Sequence, residues 1–332
     1  MTILVTGGCG YIGSHLVHEL ADAGESIVVL DDLSTGFRAA LPRLVPLVVG
    51  SVGDSSLVAA LIEEYKVDAI VHFAASIVVP DSVRDPLGYY RNNTANTRSL
   101  LESAVKSGVG RFIFSSTAAV YGNPEIVPVS EDNPLAPVSP YGTSKLMSEW
   151  MLRDTAAAHG LNYVVLRYFN VAGADPKLRT GQSTAGATHL IKVAVETALG
   201  ARPAMNVYGK DYPTPDGTCV RDYIHVSDLA AAHSAALRYL RDGGATATFN
   251  CGYGRGYSVL EVIETVKRVS GRQFPVTFAE RRAGDPAAIV ADSSRLQAAL
   301  KWKPKYAELE TIVAHALAWE EKLQSDRQRI TA

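Results

Sequence analysis

The chain has 332 residues, of which 47% are hydrophobic and 20% are charged, and its formal net charge at pH 7 is −2. This is the composition of a globular protein long enough for one large domain with an additional lobe, or for two domains. The charge balance excludes a global positive field that would hold nucleic acid or an anionic membrane. No stretch approaches the roughly 20 apolar residues of a transmembrane helix.

The cysteines and the N-terminus both bear on location. Cys9, Cys219 and Cys251 are far apart, odd in number and form no Cys-x-x-Cys pair. They therefore predict neither a disulfide framework nor a zinc or other metal site. The N-terminus has no basic leader, and its apolar start soon breaks into glycines, unlike a signal peptide. We expect a reducing, cytoplasmic setting.

The first half of the chain alternates short apolar runs with longer amphipathic ones. The runs predicted to be buried strands are 2–6, 27–30, 47–49, 69–73, 111–115 and 162–168. The segments predicted to be helices are 11–23, 55–65, 92–106 and 142–159. Strand–helix–strand alternation predicts an α/β fold of the Rossmann type, with a doubly wound parallel sheet.

The texture changes after about residue 170. Residues 173–187 and 206–217 are rich in residues that favour loops, so both segments are predicted to be irregular. Helices are predicted at 225–240, 259–270 and 309–322. We interpret residues 1–170 as the Rossmann domain and residues 171–332 as mainly a smaller substrate lobe. Segments near 225–255 are expected to pack back on the sheet.

The first predicted strand runs into the sequence Thr6-Gly7-Gly8-Cys9-Gly10-Tyr11-Ile12-Gly13. Such glycines permit a tight turn and a close backbone approach to a pyrophosphate, which the N-terminus of the next helix binds. Asp31 ends the second predicted strand, where a carboxylate accepts hydrogen bonds from an adenosine ribose and repels a 2′-phosphate. The pattern favours NAD over NADP, and a purely structural turn with a solvated aspartate is the alternative.

A second motif, Tyr141-x-x-x-Lys145, stands at the start of a predicted helix. Residues four apart share a helix face, and a lysine cation favours a phenolate, so we expect Lys145 to lower the pKa of Tyr141. A phenolate near neutral pH is a usable general base for a sugar hydroxyl. Thr117 follows a predicted strand, which places its hydroxyl at the ligand-binding edge of the sheet. Taken alone, the motif is also compatible with an ordinary pair of surface residues.

These residues carry a family resemblance that covers almost the full length. The motifs concerned lie at 5–15, 72–75, 115–117, 120–122, 141–145, 166–170, 211–214, 217–226 and 281–285. The chain resembles the extended short-chain dehydrogenase/reductase family and, within it, the UDP-glucose (UDP-galactose) 4-epimerases. The glycine turn and Tyr-x-x-x-Lys are shared by the whole superfamily, whereas the block 211–226 is much more specific to the epimerases.

The resemblance implies that UDP-galactose and UDP-glucose interconvert through a transient 4-keto sugar and enzyme-bound NADH. Tyr141 would remove the proton of the sugar 4-hydroxyl, Thr117 would hold the 4-oxygen, and Lys145 would bind the nicotinamide ribose. Arg221 and Arg282 would bind the diphosphate, for which a planar bidentate donor is well suited. The resemblance also implies a homodimer formed through the helix near 89–106 and the helix that follows Tyr141.

Two sets of binding residues follow from the motifs and the resemblance. The cofactor set is Gly7, Gly10, Tyr11, Ile12, Gly13, Asp31, Ser51, Val52, Phe73, Ala74, Asn92, Ser115, Tyr141, Lys145 and Tyr168. The substrate set is Thr117, Tyr141, Asn170, His189, Leu190, Tyr208, Arg221, Arg282 and Asp285, and Tyr223 falls in the same region.

Some positions depart from the family pattern. Ser51 stands where many members have aspartate near the adenine, and Ile77 stands where a lysine near the cofactor is frequent. Ile289 replaces a tyrosine that narrows the sugar pocket in some members, so a 2-N-acetyl sugar could fit. Because the substrates differ only in the pocket shape they need, a UDP-N-acetylhexosamine or a UDP-pentose stays open as the substrate. A 4,6-dehydratase is disfavoured because Ala118 and Ala119 stand where that chemistry needs acids. A non-catalytic NAD-binding regulator is disfavoured because both members of Tyr-x-x-x-Lys are present.

Overall fold

The computed structural model describes residues 1–282 and 284–331. In the first half, strands lie at Thr2–Thr6 (β1), Ser26–Asp31 (β2), Leu47–Val49 (β3), Val67–His72 (β4), Arg111–Thr117 (β5) and Asn162–Tyr168 (β6). Helices lie at Tyr11–Asp22 (α1), Ser55–Tyr65 (α2), Val79–Arg84 (α3), Pro86–Tyr89 (α4), Asn96–Lys106 (α5) and Pro140–His159 (α6). A π-helical turn at Tyr90–Ala95 joins α4 to α5, and 3-10 turns lie at Arg38–Ala40 and Ala118–Tyr121.

The second half contains shorter strands and longer helices. Its strands are Asn170–Ala172 (β7), Met205–Tyr208 (β8), Val220–His225 (β9), Ala247–Cys251 (β10), Gly256–Ser258 (β11), Val276–Ala279 (β12) and Ala288–Ile289 (β13). Its helices are Leu190–Ala198 (α7), Val226–Arg241 (α8), Val259–Ser270 (α9), Ser294–Leu300 (α10) and Leu309–Thr331 (α11). The predicted loop at 206–217 is wrong at its start, because the end of β8 occupies it and pairs in parallel with β12.

Seven strands form the main sheet in the order β10-β6-β5-β4-β1-β2-β3, and every neighbouring pair is parallel. The predicted fold class is thereby confirmed. The strand order reverses between β1 and β4, and such a switch point opens a crevice at the carboxyl ends of the strands. The turn after β1 and the ends of β4 and β5 meet at this edge, which positions the candidate site.

Two apolar cores cover the two faces of the main sheet. Alternate side chains of a strand point to opposite faces, so Ile3 and Val5 pack with α1 and α8, whereas Leu4 packs with α2, α5 and α6. Burial on both faces explains why these strands read as continuous apolar runs. A third core, between α7, α9 and α11, supports the remainder of the second half. Within the described ranges, no helix has the length and apolarity needed to cross a membrane.

Candidate active site

The glycine turn between β1 and α1 has no room for side chains. Gly7 has a φ of +69°, and a Cβ there would lie 2.6 Å from the nitrogen of Ala74. A Cβ on Gly13 would lie 2.2 Å from the oxygen of Gly7. Gly10 is the N-cap of α1 and supplies no side-chain cap, so the first N–H groups of α1, those of Tyr11 and Ile12 among them, can bind a phosphate. The turn thus fits the pyrophosphate of a dinucleotide.

Asp31 ends β2 beside this turn and is held in place by backbone groups. Its Oδ2 accepts a hydrogen bond from the nitrogen of Cys9 and its Oδ1 accepts one from the nitrogen of Leu33, both at 2.8 Å. Burial raises the pKa of this carboxyl, and the two N–H donors oppose that rise. A cavity of about 420 Å³ opens next to the turn, and its lining includes Gly10 and Thr35. The carboxylate, fixed beside the turn, fits an adenosine ribose.

The other predicted cofactor residues stand along the same edge of the sheet. Phe73 and Ala74 directly follow β4, and Ser51 and Val52 follow β3 after a single glycine. Ser51 is exposed and Val52 is buried. Asn92 lies in the π-helical turn before α5. The structure therefore collects these residues along the carboxyl edge of the sheet, between β3 and β4.

The Tyr141, Lys145 and Thr117 side chains meet where β5 ends. Tyr141 is 7% exposed and Lys145 is 2% exposed. The Nζ of Lys145 donates to the carbonyl oxygen of Ser115 at 3.0 Å and lies 4.9 Å from the centroid of the Phe114 ring. The Thr117 side chain is hydrogen-bonded to the Tyr141 phenol. This arrangement offers a phenol and a hydroxyl to one substrate oxygen.

The electrostatics of this group differ from the prediction. Burial raises the pKa of Tyr141 to about 12, and the hydrogen bond with Thr117 only partly opposes this. Burial also lowers the pKa of Lys145 to about 7. The prediction that Lys145 lowers the pKa of Tyr141 is therefore wrong for the protein chain alone. The physical reason is desolvation, which disfavours both the phenolate and the ammonium.

Ser115 and Tyr168 form the floor under this group. The Nδ1 of His233 is hydrogen-bonded to the carbonyl oxygen of Leu229 at 2.9 Å, which makes Nδ1 the donor. Its Nε2 then accepts from the Ser115 hydroxyl at 2.7 Å. Burial lowers the pKa of His233 to about 4, so the ring is neutral. Ser115 also hydrogen-bonds Tyr168, whose pKa burial raises.

Four of the predicted substrate residues form a second group. The Arg221 guanidinium lies 3.9 Å from the Asp285 carboxylate. The Arg282 guanidinium carbon lies 3.7 Å from the centroid of the Tyr208 ring, and hydrogen bonding with Arg282 lowers the pKa of that phenol. Two arginines with one carboxylate leave a surplus of positive charge. A diphosphate would bind such a site through charge-assisted hydrogen bonds.

The remaining substrate residues line a cavity nearer to α1. Asn170, His189, Leu190 and Tyr223 share this cavity with Tyr11 of the glycine turn. His189 is the N-cap residue of α7, and burial lowers its pKa, so it is neutral at pH 7. The structure thereby brings predicted cofactor and substrate residues to one place.

The two isoleucines that depart from the family pattern lie in different surroundings. Ile77 is half-exposed. Ile289 is buried in an apolar cluster with Leu146 and Phe169, and it pairs with Arg221 across β13 and β9. Sequence reasoning missed Glu149, which is buried close to Lys145. A glutamate four residues after that lysine, on the same helix face, is the signal that could have found it.

Comparisons with known proteins identify the class. Residues 3–252 match the NAD dependent epimerase/dehydratase family, and the chain belongs to this family. The family resemblance, the fold class and NAD as the cofactor are confirmed.

Individual relatives match over almost the whole chain. The UDP-glucose 4-epimerase of Azospirillum brasilense is 58% identical over 322 residues, which are 97% of this chain and 92% of the relative. The crystal structure of UDP-glucose 4-epimerase from Brucella ovis in complex with NAD is 44% identical, with a TM-score of 0.93 and coverage of 96% and 97%. The UDP-Glc/GlcNAc 4-epimerase from the human pathogen Campylobacter jejuni is 50% identical, with a TM-score of 0.85 and coverage of 97% and 99%.

Proposed function

We propose that this protein is a UDP-glucose 4-epimerase that interconverts UDP-galactose and UDP-glucose. The observation that carries the proposal is the meeting of the Tyr141 phenol, the Lys145 ammonium and the Thr117 hydroxyl at the end of β5. The 58% identity to the A. brasilense UDP-glucose 4-epimerase supports the same activity.

In this proposal Tyr141 takes the proton from the sugar 4-hydroxyl. After the 4-keto sugar has rotated in the site to present its other face, Tyr141 returns the proton to the 4-oxygen. Thr117 holds the 4-oxygen, and Lys145 binds the nicotinamide ribose. When bound, NAD would supply a nicotinamide that accepts the hydride from C4 of the sugar and, in its oxidised form, a positive charge. Because burial raises the pKa of Tyr141 to about 12 in the chain alone, added positive charge is what brings the phenol toward use as a base near neutral pH.

The binding roles divide between the two halves of the chain. We propose that the first half, to residue 170, holds the cofactor, with the pyrophosphate on the N-terminus of α1 and the ribose on Asp31. Residues from 171 onward contribute most contacts to the substrate. Arg221 and Arg282 bind its diphosphate, and Asp285 binds the uridine ribose. The surplus positive charge of the two arginines supports this assignment.

We further propose that the protein works as a cytoplasmic homodimer without a nucleic-acid partner. The resemblance implies an interface on α6 and on the helix near 89–106. Next to these, α3 and α4 pack on α6, and α3, α4 and α6 carry exposed apolar side chains at Val83, Leu87, Met147 and Trp150. A second copy would cover these side chains, which monomers rarely leave exposed as a group. The cysteines of the described chain are free and buried, which agrees with a reducing compartment.

A second substrate class is supported by one position. Ile289 has a short aliphatic side chain beside Arg221, where a tyrosine would narrow the sugar pocket. The 50% identical C. jejuni protein is a UDP-Glc/GlcNAc 4-epimerase. We therefore keep a UDP-N-acetylhexosamine, and after it a UDP-pentose, as the alternative substrate. One pocket contact contributes only about 1–3 kcal/mol, so both hexose classes can share one site.

The test is a parallel assay of the purified protein, supplied with NAD, on UDP-galactose, UDP-N-acetylgalactosamine and UDP-arabinose. Turnover of UDP-galactose is expected. Turnover of only the acetylated or pentose substrate would retain the chemistry and replace the proposed substrate. Failure to turn over any of the three would refute the proposed function.

A further inference from the structure

One face of α6 contacts the end of β5 through three side chains that are each one helical turn apart. They are Tyr141, Lys145 and Glu149, and their partners are the three consecutive residues 115–117. Tyr141 hydrogen-bonds Thr117, and Lys145 donates to the carbonyl of Ser115. Glu149 accepts a hydrogen bond from the hydroxyl of Ser116, which lies between Ser115 and Thr117. It is therefore built into the same contact as the two groups that carry the chemistry.

Glu149 is buried and rigidly held. Its side chain is 7% exposed. Its Oε1 accepts a hydrogen bond from the Ser116 hydroxyl. Arg167 on β6 donates to both carboxylate oxygens, from Nε at 3.1 and 3.2 Å and from Nη2 at 2.6 Å. The Nη1 of Arg167 also donates to the Tyr121 hydroxyl at 3.0 Å, which fixes the guanidinium in turn. The carboxylate is consequently held in an ion pair with Arg167 and unable to turn away from β5.

Lys145 depends on this carboxylate for its charge. Within the described part of the chain, no carboxylate lies within 4.0 Å of its Nζ, which contacts a carbonyl and an aromatic ring instead. Burial lowers the pKa of Lys145 to about 7, and the charge of Glu149 acts against this lowering. A pKa so close to neutral makes the charge of Lys145 sensitive to any change in its surroundings.

Apart from Arg167, the other titratable groups around Lys145 are uncharged at neutral pH. Burial lowers the pKa of His72 on β4 to about 3 and that of His233, which lies beyond Ser115 on α8, to about 4. Burial raises the pKa values of Tyr141 and of Tyr168 on β6. Arg167 carries a positive charge that would oppose Lys145, but both oxygens of Glu149 face it. Glu149 is thus the negative charge available to Lys145.

We propose that Glu149 is a positioning residue for the reaction, which holds the end of β5 through Ser116 and keeps Lys145 charged at the pH where the enzyme works. The proposal rests on the proposed function, because it assigns Glu149 a task in that same site. Glu149 touches neither sugar nor cofactor and acts through Ser116 and Lys145.

The test compares Glu149→Gln with Glu149→Asp in the full-length protein. The kinetic constants kcat and KM for UDP-galactose are measured between pH 6 and pH 9.5 with saturating NAD. For Glu149→Gln we expect kcat at pH 8 to fall about tenfold, KM to change less than twofold, and the alkaline decline of kcat to begin about one pH unit lower. Glu149→Asp keeps the charge, so its alkaline decline should stay at the wild-type pH even if kcat is reduced.

NAD binding gives a second readout that does not depend on turnover. The dissociation constant for NAD is measured by calorimetry over the same pH range. We expect the weakening of binding at alkaline pH to begin about one unit lower in Glu149→Gln than in the wild type. If the wild type binds NAD but turns over no UDP-sugar, the proposed function fails, whereas a shift in this binding profile still supports the effect of Glu149 on Lys145.

Asp68→Asn is the matched control. Asp68 is also a carboxylate beside arginines, 3.6 Å from Arg111 and from Arg241, but it lies at the opposite end of the sheet. It should lose stability without any change in the pH profiles. An equal shift in Asp68→Asn, or profiles of Glu149→Gln that coincide with the wild type, would overturn the proposal. If Glu149→Gln does not fold, the double variant Glu149→Leu/Arg167→Met removes the pair together and should show an alkaline shift in the same direction, smaller because the positive charge of Arg167 is removed as well.

Discussion

Four buried histidines make the stability of this protein strongly dependent on pH. His15, His72, His225 and His233 are at most 4% exposed. Burial lowers their pKa values to about 4, 3, 3 and 4, against about 6.5 in an unfolded chain. Because the folded pKa is the lower one, the stabilisation is fully present above pH 6.5. This stabilisation is lost as the pH falls below that value, because the histidines of the unfolded chain bind protons while those of the folded protein stay neutral.

The size of this loss follows from the two pKa values of each group. Between pH 7 and pH 5.5 each histidine costs about 1.2 kcal/mol, so the four together cost about 5 kcal/mol. Asp222 acts in the opposite direction, because burial raises its pKa to about 6. In the folded protein Asp222 takes up a proton more readily than in the unfolded chain, which stabilises the folded protein by about 0.8 kcal/mol between pH 7 and pH 5.5. We therefore expect the free energy of unfolding to fall by about 4 kcal/mol.

Urea unfolding at pH 7.0, 6.5, 6.0 and 5.5, followed by far-UV circular dichroism, measures this change. His233→Gln is the control, because it removes one titrating ring and should reduce the pH dependence by about a quarter, whatever it costs at pH 7. A free energy of unfolding that changes by less than about 1 kcal/mol between pH 7 and pH 5.5 would refute the reasoning.

Other substitutions test the site and the surface. Tyr141→Phe should lower kcat by about 10²–10⁴-fold while bound NAD, measured by absorbance after denaturation, is retained; a wild-type rate would contradict its role as the base. Gly13→Ala should weaken NAD binding at least tenfold in calorimetry, since its Cβ would lie 2.2 Å from a backbone oxygen. Gly10→Ala, with 3.3 Å available, should be milder. Trp150→Asp should convert dimer to monomer in light scattering, and an unchanged mass would place the interface elsewhere.

The strands of the main sheet were the most predictable part of the fold. Parallel strands buried on both faces give continuous apolar runs such as Phe112-Ile113-Phe114, and periodicity detects these well. The segment 247–251 of β10 mixes Ala, Thr and Asn with one aromatic residue, and nothing local marks it as a strand. Its place is set by pairing with β6, a contact between residues more than 80 positions apart in the chain.

The positions of the site residues could be predicted from the sequence, whereas their pKa values could not. Asp31 and Thr117 stand at the ends of β2 and β5, and Tyr141 and Lys145 stand at the start of α6, as their sequence contexts predict. The pKa values depend on burial by elements far away in sequence, which no local pattern describes. The spacing of Glu149 from Lys145 could have placed it on the same helix face, but its ion pair with Arg167 of β6 joins residues distant in the chain, and no local pattern describes that contact.

The position of β10 has a consequence for synthesis of the protein on the ribosome. Until Cys251 has emerged, β6 is the edge of a six-stranded sheet, with its outer N–H and C=O groups unpaired. At typical translation rates, the roughly 80 residues between the two strands take about 4–16 s to synthesise. During that interval the nascent chain exposes an unpaired edge strand that can pair with strands of other chains. Expression at lower temperature or with extra chaperone should therefore raise the soluble yield more than substitutions in the finished fold would.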